Sequence, residues 1–400
     1  MHNFIHFFWA IVFTVAGVTA LAADDMKMAM PTEGGAITDP TAVVMIVNRD
    51  SNDIAFMDMK TKKLVGKVFL GNNVNPHMVM MSPDGRYVVT GGTRANKAYI
   101  IDVANLKLVK TIPVGLGPEH LAFSPDGRFY YQGNPDGDSI SVIDMVSLTV
   151  IKTIEGLVEP LNITFTPDGS KAYIGNYGAH WVGVVDVKRH ELLKKIQIAE
   201  VPAIARLDPS RYLGEIKGVS NATPSSDGRY LYAADGDLGV VGVIDTRDDK
   251  VIKVIRVGKD PWRVYLSHDG KYAITVNNGD ETISIIDTRT NTVAATLEGG
   301  STMTGVNFAA GKAFVISATG FVYVYNMQTL KPAGRIKVGT NIQIETATTD
   351  TAAGKLYLAD STENAVVVID AKTEAVEKIT NVGLYPWGTH VMDSKDNYCH

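Results

Sequence analysis

Apolar and polar residues alternate in short runs along most of the chain, and the runs recur in a fixed order. One phrase makes a turn: Ser82-Pro83-Asp84-Gly85, Ser124-Pro125-Asp126-Gly127, Thr166-Pro167-Asp168-Gly169, Ser225-Ser226-Asp227-Gly228 and Ser267-His268-Asp269-Gly270. Each is followed by a β-rich run such as RYVVTGG or KAYIGN. Pro and Asp-Gly at these offsets suit a tight turn in which glycine takes a positive φ. A second phrase (IAFMDM, AYIIDV, ISVIDM, WVGVVDV, VGVIDT, ISIIDT, VYVYNM, VVVIDA) carries Asp58, Asp102, Asp144, Asp186, Asp245, Asp287, Asn326 and Asp370. These markers lie 39 to 44 residues apart, with one gap of 59 between Asp186 and Asp245. A third phrase, as in LVKTIPVG and VIKVIRVG, closes each unit. Alternation in short runs between turn residues indicates antiparallel strands. A period of this length with four strands per unit predicts an all-β chain folded as a β-propeller.

The ends of the pattern predict how the ring closes. The first unit starts at Thr41 and lacks its own innermost strand, while one lone strand candidate, Thr389 to Met392, is left over after the last unit. Pairing the two gives eight four-stranded blades and leaves no long open edge. Seven is the alternative count, should one degenerate unit be an insertion; the unit from Phe308 to Thr340, which lacks the Asp-Gly turn, is the most degenerate. The long gap places an insertion at Glu200 to Ser220, on the face carrying the channel mouth and opposite the Asp-Gly turns. The expected partition is a signal segment at 1–22, a tail at 23–40, the propeller at 41–393 and a second tail at 394–400.

Composition narrows the setting. Phe4 to Ala22 holds no Lys, Arg, Asp or Glu and ends in Ala20-Leu21-Ala22 before Asp24-Asp25, which reads as a cleaved export signal. An uncleaved anchor is the alternative, since the run is just long enough to span a bilayer. No other segment is long and apolar enough for a membrane span, so the mature chain is expected in the periplasm or an equivalent compartment. A single cysteine, Cys399, excludes an intramolecular disulfide and a covalent c-type haem, which needs Cys-x-x-Cys-His. Net charge is −5 with no large block of one sign, which gives no nucleic-acid footprint.

Repeat symmetry then singles out candidate chemistry. Each inner strand starts at the mouth, where the chain reads Pro76-His77-Met78, Pro118-Glu119-His120, Pro160-Leu161-Asn162, Pro261-Trp262-Arg263 and Pro386-Trp387-Gly388-Thr389-His390. Symmetry is expected to gather His77, Glu119, His120, Asn162, Arg263 and His390 around one rim. His77, His120 and His390 could ligate a transition metal or the iron of a noncovalent haem, with Arg263 pairing a cofactor carboxylate. The competing reading is a polar lining for a water-filled channel, with no cofactor on this chain. Met26, Met28 and Met30 offer soft ligands for copper, and Cys399-His400 could bind a metal, although incidental tails are the simpler account. His268, standing where other turns have Pro, is expected at the surface, and His180 and Trp181 are read as packing. No nucleophile elbow or phosphate-binding loop appears, so no catalytic residue is assigned. Arg206, Arg211, Tyr212 and Glu215, set among aliphatic residues of the insertion, suit a protein interface; a lid over the protein's own channel is the other reading.

The phrases VGLGPEHLAFSPDGRFYYQGN, VIDMVSLTVIKTI and VGLYPWGTHVM resemble the YVTN family of secreted bacterial propellers, over Ala42 to Met392. Similar propellers include the haem-carrying one of dissimilatory nitrite reductase and the propeller subunit of hydrazine synthase. A complete scaffold with no self-sufficient cofactor motif and one enlarged loop suggests an exported, non-catalytic subunit or scaffold of a multi-subunit haem-containing redox complex with haem proteins as partners, and the resemblance points to the hydrazine-synthase type. The alternative is an oxidoreductase or cofactor-maturation propeller that holds a noncovalent haem or copper at its mouth. The tryptophan-docking repeat and vicinal cysteines of quinoprotein alcohol dehydrogenases are absent.

Overall fold

The computed structural model describes residues 36–200, 216–339, 347–392 and 394–396. The signal segment, Met26, Met28, Met30, Arg206, Arg211, Tyr212, Glu215, Cys399 and His400 lie outside the described residues. Eight four-stranded antiparallel sheets follow one another as blades. Blade 1 takes Val43–Asn48, Asp53–Asp58 and Leu64–Phe69 from the start of the chain and its inner strand, Pro386–Val391, from the end. Val44 pairs with Val391 and Met45 with His390, so the ring closes as the leftover strand predicts. The degenerate unit is a full blade 7, with inner strand Met303–Ala309. Among the described residues no helix is long and apolar enough to cross a membrane.

The recurring polar residues turn out to be strand and turn formers. Asp144 Oδ1 accepts from the amides of Val146 and Ser147, both at 2.9 Å, and Asn326 Oδ1 accepts from Gln328 and Thr329 at the same distance. A short side-chain acceptor that closes its own turn is what this position requires, and Asn326 supplies it as the aspartates do. In the Asp-Gly turns the serine hydroxyl donates to the aspartate, as Ser82 Oγ does to Asp84 Oδ1 at 2.6 Å, and it accepts from the amide of Tyr87 at 2.9 Å.

These turns stack around the face opposite the mouth. A Cβ on Gly228 would meet Pro167 Cγ at 2.6 Å, and Gly228 has φ +69°. Each proline thus packs over the glycine of the following turn, and Pro40 does the same for Gly85, standing in for the turn that blade 1 lacks. Between blades the inward faces of neighbouring sheets interlock: Ile140 and Val142 of blade 3 pack with Ile163, Ala172 and Ile174 of blade 4. Tyrosines on second strands then reach the outer hairpin of the next blade. Tyr131 contacts His190 Nδ1 at 2.7 Å, Tyr173 donates to Asp249 Oδ1 at 2.5 Å, and Tyr232 donates to Asn291 Oδ1 at 2.8 Å.

Candidate functional site

The inner strands Pro76–Met81 (blade 2), Pro160–Phe165 (blade 4), Pro261–Leu266 (blade 6) and Pro386–Val391 (blade 1) all begin with proline at the mouth face. Proline is tolerated as the first residue of a strand, and it fixes the direction in which the next side chains leave the backbone. In blades 1, 2 and 3 those side chains make a continuous row of rings. Tyr385 stacks on Trp387 with centroids 5.9 Å apart, Trp387 lies 5.6 Å from His77, and His77 lies 5.9 Å from His120. Arg49, directly after the first strand, covers the Trp387 ring at 4.1 Å. Its Nε and Nη2 donate to Asn75 Oδ1 at 3.2 and 2.7 Å, which ties blade 1 to the start of blade 2.

His77 sits at the centre of this row. It is only 6% exposed, and its Nδ1 is buried without a hydrogen-bond partner. Burial, and then the positive charges of Arg49 and Arg263, lower its pKa from 6.5 to about 3. The imidazole is therefore neutral, with one nitrogen uncommitted, which is the state a metal-ligating histidine requires. Arg263 is fully buried and lies over Trp262 at 5.0 Å. His120 is buried as well, with its Nε2 3.9 Å from Glu119 Oε2.

One expected member does not join this group. His390 lies three residues beyond Trp387 on the closing strand, opposite Met45, and a strand advances about 3.3 Å per residue. That puts it about 10 Å further along the axis from the mouth. Burial alone lowers its pKa to about 3, whereas two arginines also act on His77. The rim position symmetry assigned to His390 belongs to Trp387. Asn162 Oδ1 is taken up by Thr164 Oγ1 at 2.9 Å and the amide of Ala222 at 3.4 Å, which joins blade 4 to blade 5. Among the described residues no group of three or more His, Cys, Asp or Glu side chains could hold a metal ion. His77, His120 and His390 therefore do not form a three-ligand metal centre as they stand.

Other histidines have structural partners. His180 Nδ1 lies 2.9 Å from Asp235 Oδ2 across the junction of blades 4 and 5, and this hydrogen bond raises the His180 pKa. The described end of the insertion is tied to blade 4 by the Gly218 amide, which donates to Tyr177 O at 2.7 Å, and to the connection between blades 5 and 6 by Lys217 Nζ, 2.5 Å from Asp260 Oδ2. His268 is not the free surface residue expected from its turn, because its Nε2 lies 2.7 Å from Asp396 Oδ1. Sequence symmetry missed Arg49 and Trp387. The one available signal was that Trp387 occupies the place after proline that His77 has in blade 2.

Residues 38–134 match a family model described as Cytochrome D1 heme domain, a segment that holds Arg49, His77 and His120. Among solved structures the chain is similar to dihydro-heme d1 dehydrogenase NirN in complex with DHE, at TM-score 0.73 and 18% identity over 90% of this chain and 78% of that one. It is similar to Kuenenia stuttgartiensis hydrazine synthase at TM-score 0.56 and 20% identity, over 76% of this chain and 97% of that one. A functionally unknown protein from Desulfotomaculum acetoxidans DSM 771 shares the fold at TM-score 0.56 and 13% identity, over 90% of this chain and 99% of that one. No curated protein sequence matches the chain. At these identities the structural likeness establishes the fold, and the family match bears out the resemblance to haem-carrying propellers.

Proposed function

We propose that the chain is an exported propeller that binds a haem-type tetrapyrrole noncovalently at the mouth of blades 1 to 3 and works beside protein subunits in redox chemistry. The observation that carries this reading is His77: a buried, neutral imidazole with an uncommitted Nδ1, inside the segment matched by the haem-domain family. The surroundings fit such a group. His77 supplies the ligand nitrogen, Arg49 and Arg263 supply positive charge for the macrocycle's carboxylates, and Trp387 and Tyr385 supply flat apolar surface. When bound, a haem would supply one-electron redox chemistry. This chain's own residues hold the ligand nitrogen neutral, balance carboxylate charge and exclude water. Placement of the protein in a complex of the hydrazine-synthase type is supported by the shared fold, which spans nearly the whole of that neighbour.

The test is a titration of the purified mature chain with haem-type tetrapyrroles, followed by absorption spectroscopy. The expected result is a saturable Soret shift that His77→Ala abolishes and His390→Ala leaves in place. A wild-type chain whose spectrum does not change at micromolar tetrapyrrole overturns the reading. Native purification tests the partner arm, with co-elution of a haem protein as the expected result and a solitary, colourless chain as the contrary one.

A further inference from the structure

The face opposite the mouth carries an irregularity that the proposed haem site does not use. From blade 2 to blade 5, each proline or serine of one Asp-Gly turn packs over the glycine of the next turn. That stack ends at blade 6, where the turn has His268 in place of proline. The following turn, at blade 7, carries Gly311, whose Cβ position has no neighbour within 4 Å. The last described residues of the chain bind at this break.

Beyond the closing strand the chain turns back, with the Ser394 amide donating to Val391 O at 3.2 Å. Asp396 has no solvent exposure. Its Oδ1 lies 2.7 Å from His268 Nε2 in blade 6, and its Oδ2 accepts from the Phe308 amide in blade 7 at 2.9 Å and from Thr349 Oγ1 in blade 8 at 2.6 Å. Ser394 Oγ accepts from the Thr349 amide at 3.2 Å. One carboxylate, delivered by the strand that completes blade 1, therefore joins three further blades. A buried carboxylate persists only where it is hydrogen-bonded and its charge is matched, and here all its partners come from blades far away in sequence. Phe308 lies on an inner strand that has a sheet neighbour on one side only.

We propose that residues 394–396 form a strap on the face opposite the mouth that ties the end of blade 1 to blades 6, 7 and 8, anchored by Asp396 and separate from the hydrogen-bonded closure of blade 1. Asp396 is the one side chain of the strap that reaches all three of these blades, and Ser394 adds a second bond to blade 8.

Hydrogen exchange followed by mass spectrometry tests this on the full chain, with Asp396→Ala, Asp396→Asn and His268→Ala. In Asp396→Ala, exchange in peptides covering 303–309 and 347–350 is expected to rise at least tenfold, while peptide 76–81 in blade 2, which Asp396 does not touch, keeps its wild-type rate. Asp396→Asn, which keeps an acceptor oxygen, is expected to fall between. If Asp396→Ala does not fold, His268→Ala reports on the same peptides with a smaller rise. Unchanged protection at 303–309 in a folded variant overturns the strap. An equal rise in every blade overturns it too, because that outcome means general loosening.

Discussion

The guanidinium of Arg49 lies 4.1 Å from the ring centre of Trp387, across the seam where the first and last strands of the chain meet. Trp387 is buried and stacks on Tyr385 behind it, so the pair locks the closing strand at the mouth just where the row of rings toward His77 begins. A cation held over an indole contributes about 0.5–2 kcal/mol, according to how far it is desolvated. Arg49→Ala is therefore expected to lower unfolding stability by about 1 kcal/mol, and Trp387→Ala by about 3–5 kcal/mol through lost packing. Denaturant unfolding of both single variants and the double variant should show a coupling of about 1 kcal/mol. Strict additivity would remove the pairing from the account of closure.

Two pH windows are built into the cofactor-free protein, and their signs are set by different groups. Burial lowers His77 and His390 from 6.5 to about 3, so the folded chain refuses protons that the unfolded chain accepts. Stability is then lost as pH falls from about 6.5 toward 3, by about 1.4 kcal/mol per unit for each such group at the steepest. The turn carboxylates Asp126, Asp168 and Asp227 are lowered by hydrogen bonds from Ser124, Thr166 and Ser225. Their contribution is present above the ordinary value of 3.8 and is lost only below it. Unfolding free energies measured from pH 7 to pH 4 should decline, and His390→Gln should flatten that slope. An unchanged slope in His390→Gln would take His390 out of the balance.

The fold was legible because its information is local and repeated. A turn such as Ser124-Pro125-Asp126-Gly127 carries its own hydrogen bonds within five residues, so the sequence phrase and the structural unit coincide. The leftover strand was legible for a different reason: an unpaired edge in a ring needs a partner, and one candidate remained. Repeat position grouped His77 with His120 and Arg263, and the structure has the His120 ring 5.9 Å from His77 and the Arg263 charge acting on it. His390 was misplaced because symmetry assigns a blade but not a depth, which had to be counted from Pro386. Arg49 with Trp387, and His268 with Asp396, were beyond reach. Each pair is made by the closed ring, between residues that share no motif, and His268 and Asp396 are 128 positions apart.

The stacked turns give a comparison between glycines with matching backbone strain. Gly228 and Gly311 have φ +69° and +73°, yet a Cβ would strike Pro167 at 2.6 Å in the first case and meet nothing within 4 Å in the second. A side chain in this backbone region costs about 1 kcal/mol by itself. Gly311→Ala should therefore cost about 1 kcal/mol, while Gly228→Ala adds a steric term of about 1–3 kcal/mol from the forced shift of a packed proline. Thermal unfolding midpoints of the two variants check this, and equal shifts would mean that the proline–glycine stack carries no packing energy.

The tyrosine links between blades lead to a final prediction, which concerns cooperativity. Tyr173 is wholly buried as a residue, and its hydroxyl donates to Asp249 Oδ1 at 2.5 Å on the outer hairpin of blade 5. Lys171 Nζ reaches the other oxygen of the same carboxylate at 2.7 Å, so Asp249 receives two donors from blade 4. Burial, followed by the hydrogen bond to Asp249, raises the Tyr173 pKa well above its usual value, so the phenol stays protonated and able to donate. Tyr173→Phe keeps the ring and its packing but removes the donor. A hydrogen bond to a charged acceptor contributes about 1.5–3 kcal/mol, and the remaining Lys171 pair compensates in part, which sets the expected loss at about 1–2 kcal/mol. Because the bond joins two blades, the loss should appear first as faster hydrogen exchange in the blade 5 strand Lys250–Arg256, before global unfolding. Exchange that rises only within blade 4 would show that Tyr173 stabilises its own sheet and does not tie the two blades together.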